Sequence, residues 1–177
     1  MKLQQQNYPF EITPLGNQHN RAAFSCGVEA LDRYLQKQAS QDVAKHVAAV
    51  FVATPDTITI AGFYTLSAHA INPGDLPPNV AKKLPRYPSV PVTLLGRLAV
   101  SVVFQGQRLG EGLLLDALKR ALLHSREVAS AAVVVDAKDE NVRSFYLRHD
   151  FVPLPAQPNR LFFLMNSIEK LFRVGER

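Results

Sequence analysis

The chain has 177 residues, of which 47% are hydrophobic and 20% charged, a balance that suits one soluble globular domain spanning 1–177 with a substantial core. No apolar run approaches the roughly 20 residues of a bilayer span, and the start, Met1 to Phe10, lacks the apolar stretch of a secretory leader, so a cytoplasmic protein without a membrane partner is expected. The net charge of +5 fits either simple solubility or an acidic partner such as nucleic acid or a polyanionic cofactor, while a single cysteine and five scattered histidines exclude an internal disulfide and suggest no metal site.

In chain order, Val28, Leu31 and Leu35 recur at helical spacing and predict a helix over 24–43, with Asp32, Arg33, Lys37 and Gln41 on its polar side. Two β-rich runs, 47–53 and 58–66, flank Thr54-Pro55-Asp56-Thr57 and predict a hairpin. Residues 72–91 are proline-rich and carry Lys82, Lys83, Arg86 and Tyr87; they read as a loop with one helical turn, too long for a plain connection and so expected to serve a site. A strand at 92–100, a helix at 108–124, a buried strand at 131–137 and a short helix at 140–149 follow. A closing strand at 160–165 leads to an amphipathic end around Ile168, Leu171 and Phe172. This order predicts a mixed sheet with helices packed on it, an α/β protein.

The most informative stretch runs from Leu94-Leu95-Gly96-Arg97-Leu98-Ala99-Val100 through Phe104-Gln105-Gly106-Gln107-Arg108-Leu109-Gly110 into Glu111-Gly112-Leu113-Leu114-Leu115. An apolar strand feeds a glycine-bearing turn that opens an amphipathic helix. Such a turn leaves backbone N–H groups at the positive end of a helix dipole, where they suit a diphosphate. No Gly-Lys-Ser/Thr follows, which excludes a Walker A loop, and the glycines are too sparse and too late in the chain for a dinucleotide fold. One strand further on lies Asn141-Val142-Arg143-Ser144-Phe145-Tyr146-Leu147-Arg148-His149-Asp150-Phe151.

Gln105-Gly106-Gln107-Arg108-Leu109-Gly110 resembles the Gln/Arg-x-x-Gly-x-Gly/Ala cofactor loop of the GCN5-related N-acetyltransferases (GNAT), and Asn141 with Phe145-Tyr146 resembles the second motif of that family. Phe24-Ser25-Cys26-Gly27 with Leu31-Asp32, Gly62-Phe63-Tyr64-Thr65-Leu66-Ser67, Pro91–Val100 and Val135-Asp136-Ala137-Lys138-Asp139 extend the likeness over nearly the whole chain. They make it similar to the acetyltransferase toxins of bacterial toxin–antitoxin pairs. The resemblance implies a mixed central sheet splayed at its middle with helices on both faces, and acetyl-CoA as cofactor. It also implies aminoacyl-tRNA as substrate, a ribbon-helix-helix antitoxin as partner, and a homodimer.

By the same resemblance Leu98, Ala99 and Val100 pair with the pantetheine arm, one of their amides polarising the thioester carbonyl. Gln105, Gly106, Gln107, Arg108, Leu109 and Gly110, together with Asn141 and Phe145, contact the cofactor, and Tyr146 is the general acid. Asn141 can equally be a helix-start residue. Arg86, Arg97 and Lys138, among the basic residues near that end of the sheet, either grip a tRNA acceptor stem or are solvated charges. Two positions depart from the pattern: Arg108 and Asp150 stand where the family has glycine. Arg108 either blocks the closest approach to a phosphate or adds a charge-assisted contact, and Asp150 tolerates left-handed geometry. Cys26 is expected to be structural, since no histidine pairs with it. The alternative functions are a GNAT enzyme acting on a small amine or a protein N-terminus, and a non-catalytic coenzyme A-binding or partner-binding module with a degraded loop.

Overall fold

A computed structural model describes residues 9–174. These form a seven-stranded mixed sheet with helices, in strand order β1-β2-β3-β4-β5-β7-β6. The strands are β1 (Glu11–Pro14), β2 (Ala49–Thr54), β3 (Gly62–Ile71), β4 (Val90–Val100), β5 (Ala132–Asp136), β6 (Val152–Leu154) and β7 (Gln157–Leu164). The helices are α1 (Glu29–Lys37), α2 (Ala39–Ala44), α3 (Pro78–Ala81), α4 (Leu109–His124), α5 (Glu140–Arg148) and α6 (Met165–Val174). The described residues fall into two compact units, one of 9–67 with 95–117 and the other of 68–94 with 118–174. Strands β3 and β4 and helix α4 each contribute to both. No helix among the described residues is long and apolar enough to cross a membrane.

In the first unit the expected helix over 24–43 is two helices with a non-helical entry. Gly27 takes φ +84°, which turns the chain from the irregular 24–26 segment toward α1. The Asp32 carboxylate, one turn into α1, then accepts hydrogen bonds from the Cys26 amide (2.8 Å) and the Ser25 hydroxyl (3.3 Å). The break at Gln38 (φ −120°) turns the fully buried Ala39 into the core, and Tyr34 Oη donates to Asp42 across it at 3.0 Å. Helix α2 ends in a Schellman cap, with His46 at φ +56° and bonds from Val47 N to Asp42 O and from His46 N to Val43 O. The hairpin is present, with β2 and β3 antiparallel and Val52 opposite Phe63. Its connection is longer than Thr54–Thr57, because Asp56 accepts from the amides of Ile58 (3.0 Å) and Thr59 (2.6 Å) and from the Thr59 hydroxyl (2.7 Å), so β3 begins only at Gly62. Strand β1, absent from the expected elements, pairs antiparallel with the other side of β2. Phe63 centres this core, packing on Phe24 (centroids 5.4 Å) and Tyr34 (6.2 Å), with Leu35, Val50, Val52 and Ile60 around it.

In the second unit the proline-rich segment holds a single turn at Pro73–Asp75 and the four-residue α3, as its composition suggests. Strands β5 and β7 pair antiparallel with Val134 opposite Phe162, and β6, also unanticipated, adds an antiparallel edge interrupted by a bulge at Pro153/Leu154. Ile71, Leu76, Val90, Val92, Val134, Leu154 and Phe162 form the core there. The closing strand ends at Leu164, and Met165 already belongs to α6.

Candidate active site

Strand β4 ends in Leu98, Ala99 and Val100, and Ser101 N donates to Ala61 O at 2.8 Å at the start of β3. After a tight turn at Val102–Phe104 the chain enters the 105–110 loop. The loop is tied to the strand by one side chain: the Gln105 carboxamide NH2 donates to Val100 O (3.1 Å) and to Cys26 O (3.2 Å). Val102 N donates to Ser25 O at 2.9 Å, so the 25–27 segment, the strand end and the loop start form one hydrogen-bonded assembly. Cys26 is buried within it, and burial together with the Asp32 carboxylate pushes its thiol above the ordinary value, which makes it a structural residue.

Beyond Gln105 the backbone alternates in hand. Gly106 has φ +79° and Arg108 φ +60°, with Gln107 on the ordinary side between them, the alternation in which successive amides turn toward one anion. No atom lies within 4 Å of where a Gly106 Cβ would sit, so the loop faces open space there. Leu109 is 2% exposed and anchors the first turn of α4, a 16-residue helix buried along Leu113, Leu114, Ala117 and Leu118. Its first N–H groups have no partner within the helix. Open space, two left-handed residues and the start of a long helix together fit a diphosphate. The Arg108 side chain folds onto Glu111, with Nη2 and Nε at 2.7 and 2.9 Å from Oε2.

The other half of the motif set lies in the second unit. Asp139 caps α5 by accepting from Val142 N at 2.9 Å, so the cap is Asp139 and the exposed Asn141 sits one residue inside the helix. Tyr146 is 5% exposed, its ring against Phe145 and Phe151 at 5.2 Å each. The packing follows from the end of α5. Asp150 takes φ +66°, Phe151 N donates to Tyr146 O and Asp150 N to Leu147 O, a Schellman cap that lays Phe151 on Tyr146. The left-handed backbone anticipated at Asp150 is therefore present. Burial pushes the Tyr146 phenol well above its ordinary value of 10. No hydrogen bond engages its hydroxyl among the described residues.

No protein-family model matches the chain. It is 35% identical to the tRNA-acetylating toxin of Mycobacterium tuberculosis over 149 residues, covering 84% of this chain and 88% of that one. It is 31% identical to the probable toxin TacT of Sinorhizobium fredii over 169 residues, covering 90% and 93%. The chain belongs to the GNAT-type acetyltransferase toxins. Among solved structures, AtaT complexed with acetyl-methionyl-tRNAfMet matches with a TM-score of 0.86 at 29% identity, over 92% of this chain and 99% of that one. A tyrosine-to-phenylalanine mutant of AtaT has also been solved bound to the C-terminus of the antitoxin AtaR and acetyl-CoA.

The family's motif residues thus divide as Leu98, Ala99, Val100 and 105–110 in one unit and Lys138, Asn141, Phe145 and Tyr146 in the other. Of the basic residues, Arg86 and Lys138 are exposed, whereas Arg97 is half-buried with its guanidinium carbon 3.6 Å from the centre of the Tyr34 ring. Arg160 did not stand out in the sequence. Its guanidinium grips Asp136 bidentately at 2.6 and 2.9 Å and lies 3.4 Å from His69 Nε2, holding the end of β5 beside the α5 cap. Strand register creates that pair, and only the Val135-Asp136-Ala137 motif hinted at it.

Proposed function

We infer that the protein is an acetyl-CoA-dependent N-acetyltransferase that acetylates the α-amino group of aminoacyl-tRNA, a translation-blocking toxin countered by an antitoxin. The observation that carries the chemistry is Tyr146: its ring is locked by Phe145 and Phe151 while its hydroxyl is left unclaimed. Acetyl-CoA supplies an activated acyl thioester with a thiolate leaving group. The amides of 106–110 would hold its diphosphate, and Leu98, Ala99 and Val100 would pair with the pantetheine arm and polarise the thioester carbonyl. With its pKa raised, Tyr146 stays protonated through neutral and mildly alkaline pH and so acts as a donor, placing a proton at Oη for the departing sulfur. Asn141 and Phe145 would complete the cofactor site. Arg86, Arg97 and Lys138 would contact tRNA phosphates, Arg97 while stacked on Tyr34.

This set contains no general base, which favours an acceptor that needs none. An α-amine of pKa about 7.7–8.0 is roughly a tenth neutral at pH 7, whereas a lysine near 10.4 is neutral only about 0.04% of the time. We further propose that the chain acts as one catalytic domain in the cytoplasm, as a homodimer, with an antitoxin of ribbon-helix-helix type.

The test is transfer of labelled acetyl from acetyl-CoA to charged tRNA by the wild type and by Tyr146→Phe. The wild type should label aminoacyl-tRNA but not uncharged tRNA, with an affinity that falls steeply with salt. Tyr146→Phe should bind acetyl-CoA as the wild type does and lose turnover by about a hundredfold or more. Unchanged turnover would remove Tyr146 from its role, and labelling of small amines or peptides in place of charged tRNA would overturn the substrate.

A further inference from the structure

Arg108 stands in an unfavourable place for an arginine. Its φ of +60° is a conformation in which a Cβ crowds the following carbonyl, and glycine would relieve it. The ion pair it makes gives little stability in return, because the two side chains are 62% and 34% exposed and separated by only one helical turn. The partner is more telling. Glu111 carries its carboxylate in the first turn of α4, where the helix and the alternating amides of 106–110 present their positive ends. That carboxylate favours the helix itself but opposes any polyanion brought to the same amides, and Arg108 holds two of its three guanidinium nitrogens, Nε and Nη2, on one oxygen of that group.

We propose that Arg108 is a positioning residue whose task is to neutralise Glu111, so that the 106–110 amides can accept the cofactor diphosphate. The inference rests on the acetyl-CoA reading and extends it, making two residues that depart in charge from a bare glycine loop a matched pair. The arginine is then neither a plug nor mainly a direct phosphate ligand. Its effect on affinity depends on the residue at 111.

Calorimetry with acetyl-CoA on the purified wild type, Arg108→Gly, Glu111→Gln and the double variant closes the cycle, with a thermal melt of each unliganded protein alongside. Arg108→Gly should melt no lower than the wild type, since it relieves the left-handed backbone. It should nonetheless bind acetyl-CoA about tenfold more weakly, because the Glu111 carboxylate loses the Arg108 counter-charge close to the diphosphate. That loss should shrink as salt rises. Glu111→Gln and the double variant should both bind within about threefold of the wild type, so that removing Arg108 costs affinity only while residue 111 is charged. Arg108→Gly binding as well as or better than the wild type would overturn the proposal, as would a double variant as weak as Arg108→Gly. Failure of the wild type to bind acetyl-CoA at all would instead defeat the acetyltransferase reading beneath it.

Discussion

Replacing Gly62 with alanine tests how the start of β3 positions the end of β4, the strand proposed to pair with the cofactor. A Cβ built on Gly62 would lie 2.9 Å from the Ala99 carbonyl oxygen and 2.8 Å from Leu113 Cδ1, where ordinary contacts begin at 3.4 Å. The leucine methyl can rotate away. The carbonyl cannot, because it belongs to the end of β4, where Ser101 N is bonded back to Ala61 O at 2.8 Å. The strand end must therefore shift by about half an ångström, the difference between 3.4 and 2.9 Å. Overpacking of this kind costs about 1–3 kcal/mol, offset in part by the reduced freedom of alanine in the unfolded chain. A net loss of about 1–2 kcal/mol lowers the melting temperature of a chain this size by roughly 3–8 °C. Because the displaced group lies within Leu98–Val100, acetyl-CoA affinity should fall about threefold to tenfold as well. Thermal denaturation and calorimetry on Gly62→Ala measure both. A variant that melts and binds like the wild type would refute the argument that close approach at Gly62 sets the strand end.

Two further outcomes follow from the same geometry. Gln105→Met keeps the bulk of the side chain but removes the two N–H donors to Val100 O and Cys26 O; it should cost about 1 kcal/mol of stability and raise the KM for acetyl-CoA more than it lowers kcat. An unchanged KM would show that the tie does not position the loop. Tyr146 and Tyr34 have folded pKa values above the unfolded value near 10, Tyr34 being pushed up to about 12 by burial and the Asp42 carboxylate. Their contribution to stability is therefore complete below pH 10 and is lost as pH rises through the folded values. Denaturant melts from pH 8 to 12 should show a shallower decline for Tyr146→Phe than for the wild type, and parallel curves would contradict the burial of that phenol.

Much of the frame of the candidate site could be read from residue order because its physics is local. A strand, a glycine-bearing turn and a helix start occupy one continuous segment, and the cap that packs Phe151 on Tyr146 occupies another. What escaped notice was non-local or short. Strand β1 is four residues ending in proline, and β6 is three residues with a proline at its bulge; neither has the length for an alternating pattern to emerge. The break between α1 and α2 has no glycine or proline to announce it, since burial of Ala39 sets it. Asp32 read as a solvated face residue but caps the 25–26 segment, and the stacking of Arg97 on Tyr34 joins residues 63 positions apart. The Arg160–Asp136 pair exists only once β5 and β7 are in register.

The Asp56 turn bears on how the chain acquires its shape. The three hydrogen bonds that the Asp56 carboxylate accepts connect residues at most three apart, so this part of the connection is organised locally. Hairpins closed in this way form on the order of microseconds, well ahead of pairings such as β5 with β7 that must wait for a helix and an edge strand between them. During synthesis, β2 and β3 leave the ribosome before any residue of α4 or α5 does, and the turn gives them a ready nucleus. The carboxylate that organises this nucleus is held below its ordinary pKa by those same donors, so only protonation at acid pH would loosen the turn.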